Sequence, residues 1–432
     1  MNMPTSGLVG LNPTTTILPN GVRLLAKQTG TTPAVTISLT VRAGSVHDPL
    51  ELPGVAFLLS RVIDRGTSGW SADEIAEALD IRGVSLRVAV TRHTLSISCD
   101  CLAEDFDTVL QLLADVVRNP VIPENELVTR RGEVLTAIRQ DQDSPATVAM
   151  ERLMKLLYGA THPYGQPTKG TPASLGQMGR DRLQPFHREH FAPGGLSVVV
   201  VGDVMSDHVA EVVTEAFGSW EPRTNDVRPP ESPEPATTRR RVVIPMMNKS
   251  QSDIGYGFTT VARADPEYYA YWLMSNIFGQ YGMGGRLGQS IRERQGMAYY
   301  AFCGFEAGVI AGPLIVRAGV SGDNVDKAVA SIDAEVASLA ADGVTDDELA
   351  NSQRYLTGSL PRQLETNAGI AAFLQEVQQF DLGLDYDLRV RDLIDRVTRD
   401  QVNEAARLTL APERAAVVIA GPYQDSTDDQ VG

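Results

Sequence analysis

The stretch LSISCDCLAEDFDTVLQLLADVV, residues 95–117, places a strand pattern directly before a helix pattern. Its first eight residues alternate apolar and polar as a half-buried strand does, and residues 105–117 carry apolar side chains at helical spacing. A second stretch, LIVRAGVSGDNVDKAVASIDAEV at residues 314–336, has the same order. This internal repeat predicts two related domains, each combining a sheet with helices.

The repeat continues on both sides of that segment. Leu127 and Leu349, in the helical stretch that follows each copy, are 222 residues apart. Between the halves lies a run that is rich in Pro, Glu and Arg and poor in apolar residues, which is typical of an exposed linker. We therefore predict domains at residues 1–222 and 242–432, joined by a linker at 223–241.

Within each half, strands come first, helices follow, and another strand pattern lies near the end. This order predicts an α+β fold in which each domain is a mainly antiparallel sheet with helices packed on one face. Local signals agree with it: Ser71 followed by Glu74 predicts a capping box at the start of a helix, and Gly83 is its predicted end.

Composition indicates an ordinary globular protein. The 432 residues are 43% hydrophobic, enough for a large core, and no apolar run reaches the roughly 20 residues of a membrane span. The net charge of −16 argues against nucleic acid and anionic membranes as partners. Two explanations of this charge stay open, namely solubility and a negative surface that attracts basic peptides. The three cysteines are predicted to be buried structural thiols.

Residues 54–67 read GVAFLLSRVIDRGT, and positions 57, 60 and 61 share one face of a helix. The stretch resembles the G-x-A-H-F-L-E-H-M-x-F-x-G-T segment of the pitrilysin or insulinase-like zinc peptidases, whose signature is H-x-x-E-H. The resemblance places Phe57, Ser60 and Arg61 where that family has its two zinc-binding histidines and its catalytic glutamate. A phenyl ring, a hydroxyl and a permanent cation cannot hold Zn²⁺.

The third zinc ligand of that family also has no counterpart. Residues 131–145, RGEVLTAIRQDQDSP, resemble the family's R-x-V-x-x-E-E-I-x-x-x-x-D-x-P segment. Thr136 and Ala137 occupy the positions of the paired glutamates. The resemblance therefore implies a degenerate zinc motif, with no metal and no catalytic cofactor bound by this chain.

A second family signature is retained at residues 276–300, NIFGQYGMGGRLGQSIRERQGMAYY. It resembles a Gly-rich loop followed by R-L-x-x-x-I-R-E-x-x-G-L-A-Y. The resemblance implies that Arg292 and Tyr299 hold the peptide and stabilise the oxyanion formed during hydrolysis, and that the loop glycines help to receive substrate (Gly282, Gly284 and Gly285). The alternatives are an exposed helix-end arginine, a core tyrosine and a plain turn.

Geometry supports the pairing of that arginine and tyrosine. Residues 285–295 have helical spacing, Gly296 is suited to a left-handed helix end, and residues 298–305 look like a strand. A chain reversal at Gly296 is therefore predicted to bring Arg292 and Tyr299 close together. By contrast, His187 and His190 are predicted to lie on a solvated helix face, because the repeat partner of their segment has no histidine.

The resemblance implies a partner as well as a fold. Short members of the family are half of a clam-shell chamber, and in heterodimeric members one chain carries the zinc motif and the other does not. We expect a non-catalytic subunit that forms a peptide chamber with a zinc-bearing partner, in the cytoplasm of a bacterium unless a trimmed signal directs it to the periplasm. A homodimer is the other assembly considered for the chain expressed alone. The alternative function is a structural or peptide-binding scaffold without a role in catalysis.

Overall fold

The computed structural model describes residues 10–30, 32–224, 228–280 and 285–424. The chain forms two compact units, and each unit draws on both halves of the sequence. The first unit comprises residues 1–136, 167–228 and 359–391. The second unit comprises residues 137–166, 229–358 and 392–432.

Strands and helices follow the predicted order in both halves. The strands are β1 (Thr14–Ile17), β2 (Arg23–Gln28), β3 (Ala34–Val41), β4 (Arg87–Val90), β5 (Leu95–Leu102), β6 (Leu196–Gly202), β7 (Arg240–Pro245), β8 (Ser252–Thr259), β9 (Ala298–Phe305), β10 (Pro313–Val320) and β11 (Ala416–Gly421). The helices are α1 (Val55–Val62), α2 (Ala72–Asp80), α3 (Phe106–Arg118), α4 (Glu124–Gln142), α5 (Pro145–Tyr158), α6 (Pro172–Gly176), α7 (Arg180–His190), α8 (Ser206–Phe217), α9 (Tyr268–Ser275), α10 (Gly285–Leu287), α11 (Val325–Asp342), α12 (Asp346–Gln363), α13 (Asn367–Gln379), α14 (Tyr386–Asp395) and α15 (Arg399–Thr409). Within the described ranges, two π-helical segments occur, at Asn276–Gln280 and Gly288–Arg294.

The two sheets share one topology. The first sheet has the order β1-β2-β6-β3-β5-β4, and the second has the order β7-β11-β8-β10-β9. The pairs β2–β6 and β7–β11 are parallel, and the other neighbouring pairs are antiparallel. Leaving out β1, the strands correspond one to one between the sheets. The predicted α+β fold with two related, mainly antiparallel sheets is confirmed.

Each sheet is also covered by a helix from the other half of the sequence. Helix α13 packs on β3 and β6, where Gln375 Nε2 donates to the Ser38 carbonyl at 3.0 Å, and α5 packs on β8 and β11. Side chains 35–39 of β3 are all buried although successive residues of a strand point to opposite faces. The sequence patterns predict helices on one face of each sheet, and α5 and α13, which come from the other half of the sequence, cover the second face.

Local predictions hold where short-range chemistry decides the backbone. Ser71 and Glu74 form the predicted capping box at the start of α2, and Gly83, with φ of +64°, follows its end. Helix α3 lies within one residue of the predicted bounds. Among the described residues, no helix is long and apolar enough to cross a membrane. All three cysteine thiols are buried, which raises their pKa to about 12.

The prediction for His187 and His190 is wrong. Both side chains are buried, at 9% and 6% exposure, because α7 turns this face inward rather than toward water. His187 Nε2 lies 2.8 Å from the carbonyl oxygen of Val117, and the ring of His190 stacks on that of His47 with centroids 4.9 Å apart. Two buried aromatic rings of this kind serve packing, and the helical spacing of the segment did not reveal which side faced the core.

Candidate functional site

The degenerate zinc motif lies on α1, whose start is held by a carboxylate. Gly54 precedes the helix in the left-handed region with φ of +101°. Asp48 accepts hydrogen bonds from the backbone N–H groups of Gly54 and Ala56, at 2.7 and 2.8 Å, and so satisfies donors that the first turn of a helix leaves free. A Cβ at Gly54 would lie 2.7 Å from the carbonyl oxygen of Lys169, so this approach requires glycine. The frame of the motif is therefore intact.

The side chains on that frame form no metal site. Phe57 is half-buried, and the hydroxyl of Ser60 donates to the Phe57 carbonyl at 2.6 Å instead of facing a ligand. Arg61 lies with Nη2 3.8 Å from a carboxylate oxygen of Glu133 on α4. A guanidinium repels a divalent cation and offers it no lone pair. These three residues do not fit zinc.

Helix α4 meets α1 through charges. Glu133 lies one helical turn before Thr136 and Ala137, and it also pairs with Arg130 at 2.7 Å. Thr136 is exposed and uses its hydroxyl to donate to the Gly132 carbonyl at 2.9 Å, while Ala137 is half-buried. Within the described ranges, no three His, Cys, Asp or Glu side chains are arranged to hold a metal ion. An exposed ion pair, between Arg61 and Glu133, connects the two helices where a metal would otherwise connect them.

The retained signature of the second half is anchored by its first arginine. Arg286 makes a bidentate pair with Glu348, with nitrogen to oxygen distances of 2.6 and 2.7 Å, and also donates to the Gly343 carbonyl at 2.8 Å. Paired N–H to carboxylate bonds of this geometry are strong and directional. They fix the start of the segment that carries Arg292. That segment is helical, as predicted, but residues 288–294 are a π-helix, a form that occurs often at functional sites.

The strand that follows contains a β-bulge at Tyr299. Gly296 has φ of +62°, so the reversal before the strand occurs as predicted. On β10, Gly319 is opposite Tyr300 and Val320 is opposite Ala298, which leaves Tyr299 without a partner. A bulge re-aims the side chain of its extra residue. Tyr299 is 77% exposed, and no hydrogen bond to it is found within the part of the chain that the structure describes.

The next residue has the opposite environment. The hydroxyl of Tyr300 donates to the carboxylate of Asp253, a side chain with 5% exposure on β8. Between these two strands lies Gly319 on β10, where a Cβ would come within 2.7 Å of the Tyr300 ring. Burial and the hydrogen bond to Asp253 both raise the pKa of Tyr300. Tyr300 is therefore a fixed, neutral donor.

Arg292 shares a cavity with Tyr300 rather than with Tyr299. The cavity has a volume of about 570 Å³, and Asn276 and Tyr355 also line it. The side chain of Arg292 is 28% exposed, and its one ion pair in the described ranges is with Glu293, at 3.5 Å. Arg292 and Tyr299 lie on either side of the same reversal, but within the described ranges the structure shows no hydrogen bond between them.

The Gly-rich loop can be placed only in part. Gly282 and Gly284 lie outside the described residues. Gly285 has φ of +56°, and a Cβ there would lie 2.3 Å from the carbonyl oxygen of Ile277. Glycine is thus required at this position by the close passage of two backbone segments.

Three features of the site are absent from the sequence predictions: the bulge at Tyr299, the Tyr300–Asp253 bond and the Arg61–Glu133 pair. The sequence of β9, AYYAFCGF, is apolar, aromatic or glycine at every position, so it carries no alternation that would reveal the bulge. The two contacts join residues that are distant in sequence, so no local pattern reports them.

The fold and the site define a two-domain α+β protein whose first half keeps the frame of a metallopeptidase motif without its ligands. Comparison with protein families agrees. A model described as insulinase (peptidase family M16) matches residues 23–171, and a model described as peptidase M16 inactive domain matches residues 177–356. The chain belongs to peptidase family M16.

Relatives and solved structures extend over nearly the whole chain. An uncharacterized zinc protease of Bacillus subtilis is 28% identical over 349 residues, covering 80% of this chain and 83% of the relative. An uncharacterized zinc protease of Mycobacterium bovis is 27% identical and covers 97% of this chain and 95% of the relative.

Among solved structures, a peptidase M16 inactive domain from Pseudomonas fluorescens matches with a TM-score of 0.88 at 25% identity, covering 95% of this chain and 98% of that one. A protease from Helicobacter pylori has the same fold, with a TM-score of 0.87 at 17% identity and coverage of 96% and 100%. The family predicted from the two motifs is confirmed.

Proposed function

We propose that this chain is the non-catalytic subunit of a heterodimeric zinc metallopeptidase and that it donates Arg292 and Tyr299 to the peptide held at the zinc site of its partner. The first support is the residue set on α1 and α4. Phe57, Ser60 and Arg61 keep the helix but not its ligands, and Thr136 and Ala137 offer no carboxylate. Zinc chemistry in such an assembly belongs to another chain.

Tyr299 is the observation that carries the proposal. A tyrosine that is 77% exposed leaves a large ring in water, and a bulge directs it away from its own sheet. Its neighbour Tyr300 is fixed to Asp253, so the strand itself is held in place. A rigid strand that presents a free phenol is suited to donating a hydrogen bond to a ligand that arrives from outside.

Arg292 adds a permanent positive charge near the end of the π-helical segment Gly288–Arg294, which precedes the strand of Tyr299. Its only ion pair in the described part of the chain is the loose contact with Glu293, which leaves most guanidinium N–H groups available. A phenol and a guanidinium can both donate to a peptide carbonyl oxygen and to the negative charge that develops on it. One positioned donor of this kind typically changes the rate by about 10² to 10³.

The Gly-rich loop and the compartment complete the proposal. Gly282, Gly284 and Gly285 would let the substrate backbone pass close to the loop, because glycine presents no side chain to it. The natural substrate is a peptide, and the assembly works in the bacterial cytoplasm.

Co-expression with a family M16 chain that carries H-x-x-E-H tests the proposal. Turnover of a fluorogenic peptide should fall by about 10² or more in Arg292→Ala and in Tyr299→Phe, with the heterodimer intact. Arg294→Ala, two residues further on and 69% exposed, and Tyr423→Phe, near the end of the described chain, serve as matched controls and should keep full turnover. Unchanged turnover in Arg292→Ala and Tyr299→Phe would instead assign the chain the alternative function of a structural or peptide-binding scaffold.

A further inference from the structure

A second cavity, of about 490 Å³, lies in the first compact unit, away from both motifs. It is bounded by the end of α3, the end of α7 and the segment at residues 219–223. Three of its lining residues are arginines: Arg118, Arg188 and Arg223. The chain has 54 acidic and 38 basic residues, so three guanidinium groups around one cavity run against its overall charge.

These arginines have no carboxylate partner among the described residues. Arg118 donates to the Ala216 carbonyl at 2.5 Å and to the Ser219 hydroxyl at 3.1 Å, and its Nε is buried without a hydrogen-bond partner. Arg223 donates to the Phe191 carbonyl at 2.7 Å. Neutral oxygens hold these side chains in place but do not neutralise them, so the positive charge remains directed at the cavity.

His187 also lines the cavity, and its pKa responds to the same charge. Burial, together with the positive charges of Arg223 and Arg188, lowers its pKa to about 4, although the hydrogen bond to the Val117 carbonyl acts in the opposite direction. The imidazole is therefore neutral at physiological pH and adds a polar but uncharged wall. Phe191 and Trp220 supply the apolar part of the lining.

We propose that this cavity binds a small organic oxyanion, a phosphate or a carboxylate, whose apolar part contacts Trp220 and Phe191. Planar guanidinium groups match both kinds of oxyanion through paired N–H donors. Two of the three are already fixed by backbone or side-chain oxygens, which reduces the entropy lost when a ligand binds. Glu221 lines the same cavity and makes no ion pair with the three arginines, so one negative charge faces three positive charges there.

Three probes separate the parts of this proposal: phenyl phosphate, inorganic phosphate and phenylacetate. Titration calorimetry on the purified chain should show saturable binding of phenyl phosphate, tighter than that of inorganic phosphate because the ring adds apolar contact. The relative affinities of phenyl phosphate and phenylacetate show whether the cavity prefers a phosphate or a carboxylate. Trp220 is one of three tryptophans, so binding should also change the emission spectrum, and Trp220→Phe should abolish that change.

Charge-removing variants test the location. Arg188→Gln should weaken phenyl phosphate binding by about tenfold, and the double variant Arg188→Gln/Arg223→Gln should weaken it further. Arg188 is exposed and makes no hydrogen bond or ion pair in the described ranges, so its substitution should leave the fold intact, as circular dichroism can verify. Arg396→Gln, at a highly exposed helical ion pair, is the matched control and should bind normally. The proposal is overturned if none of the probes binds saturably up to about 10 mM, or if Arg188→Gln binds phenyl phosphate as the parent chain does.

Discussion

Replacing Tyr300 by phenylalanine should lower the stability of the protein, whereas the same change at Tyr299, the next residue, should not. Tyr300→Phe removes the hydroxyl that donates to Asp253, a carboxylate with 5% exposure. Gln251 Nε2, at 3.3 Å from both oxygens, remains as a weaker donor. The difference between two adjacent tyrosines tests directly whether the bulge separates a structural side chain from one that is free for ligand.

The magnitude follows from the kind of bond lost. A hydrogen bond to a buried charged group is worth about 1.5–3 kcal/mol, and the unpaired carboxylate adds to the cost. Tyr300→Phe should therefore reduce the free energy of unfolding by about 2 kcal/mol or somewhat more. Tyr299→Phe removes a hydroxyl from an exposed side chain, and surface changes of that kind usually stay within about 0.5 kcal/mol.

Urea unfolding followed by tryptophan emission measures both variants, with Trp272 reporting from the second unit. A double-mutant cycle with Asp253→Asn isolates the coupling between hydroxyl and carboxylate, which should reach about 1 kcal/mol or more. The reasoning fails if Tyr299→Phe destabilises as strongly as Tyr300→Phe, or if the cycle gives no coupling energy.

Two further predictions concern acid stability and metal content. Burial lowers the pKa of His47, His93 and His187 to about 4, so the unfolded chain binds more protons than the native protein between pH 4 and 6.5. The contribution of these histidines to the free energy of unfolding should therefore be fully present above pH 6.5. It should fall with decreasing pH by up to about 1.4 kcal/mol per pH unit for each histidine. Asp48, whose pKa burial raises to about 7, opposes this trend because its native form takes up a proton as the pH falls. Unfolding at pH 7.5 and pH 5 should show a weaker pH dependence in His187→Gln, which keeps a side-chain N–H for the Val117 carbonyl, and equal slopes would contradict the assignment. Metal analysis of the purified chain should find zinc well below one equivalent, since Phe57, Ser60 and Arg61 supply no ligand; stoichiometric zinc that chelators remove would show that another set of residues binds it.

Patterns that depend on neighbouring residues were sufficient for much of the fold. The capping box at Ser71 and the turn at Gly296 are set by interactions within a few residues, and both occur where the sequence places them. Side-chain alternation located β5 to the residue. The sequence did not predict that α5 packs on the second sheet and α13 on the first. Both faces of a helix can look alike in sequence when each is half-buried.

The candidate site divides in the same way. Residue identity alone excludes zinc at positions 57, 60 and 61, because no fold can give phenylalanine or arginine a lone pair for a metal. Identity alone also placed Arg292 and Tyr299 on either side of a reversal. It did not determine which tyrosine is free, since this depends on a bulge created by the register between β9 and β10.

The sequence by itself therefore determined the family, the repeated α+β architecture and the loss of the zinc ligands, since each is a matter of residue type and local spacing. Tertiary structure alone decided three contacts: Tyr300 reaching Asp253 across Gly319, Arg61 meeting Glu133, and three arginines converging beside Trp220. Each of these brings together residues that are far apart along the chain. Their geometry is fixed by how strands and helices pack, and no short stretch of sequence contains it.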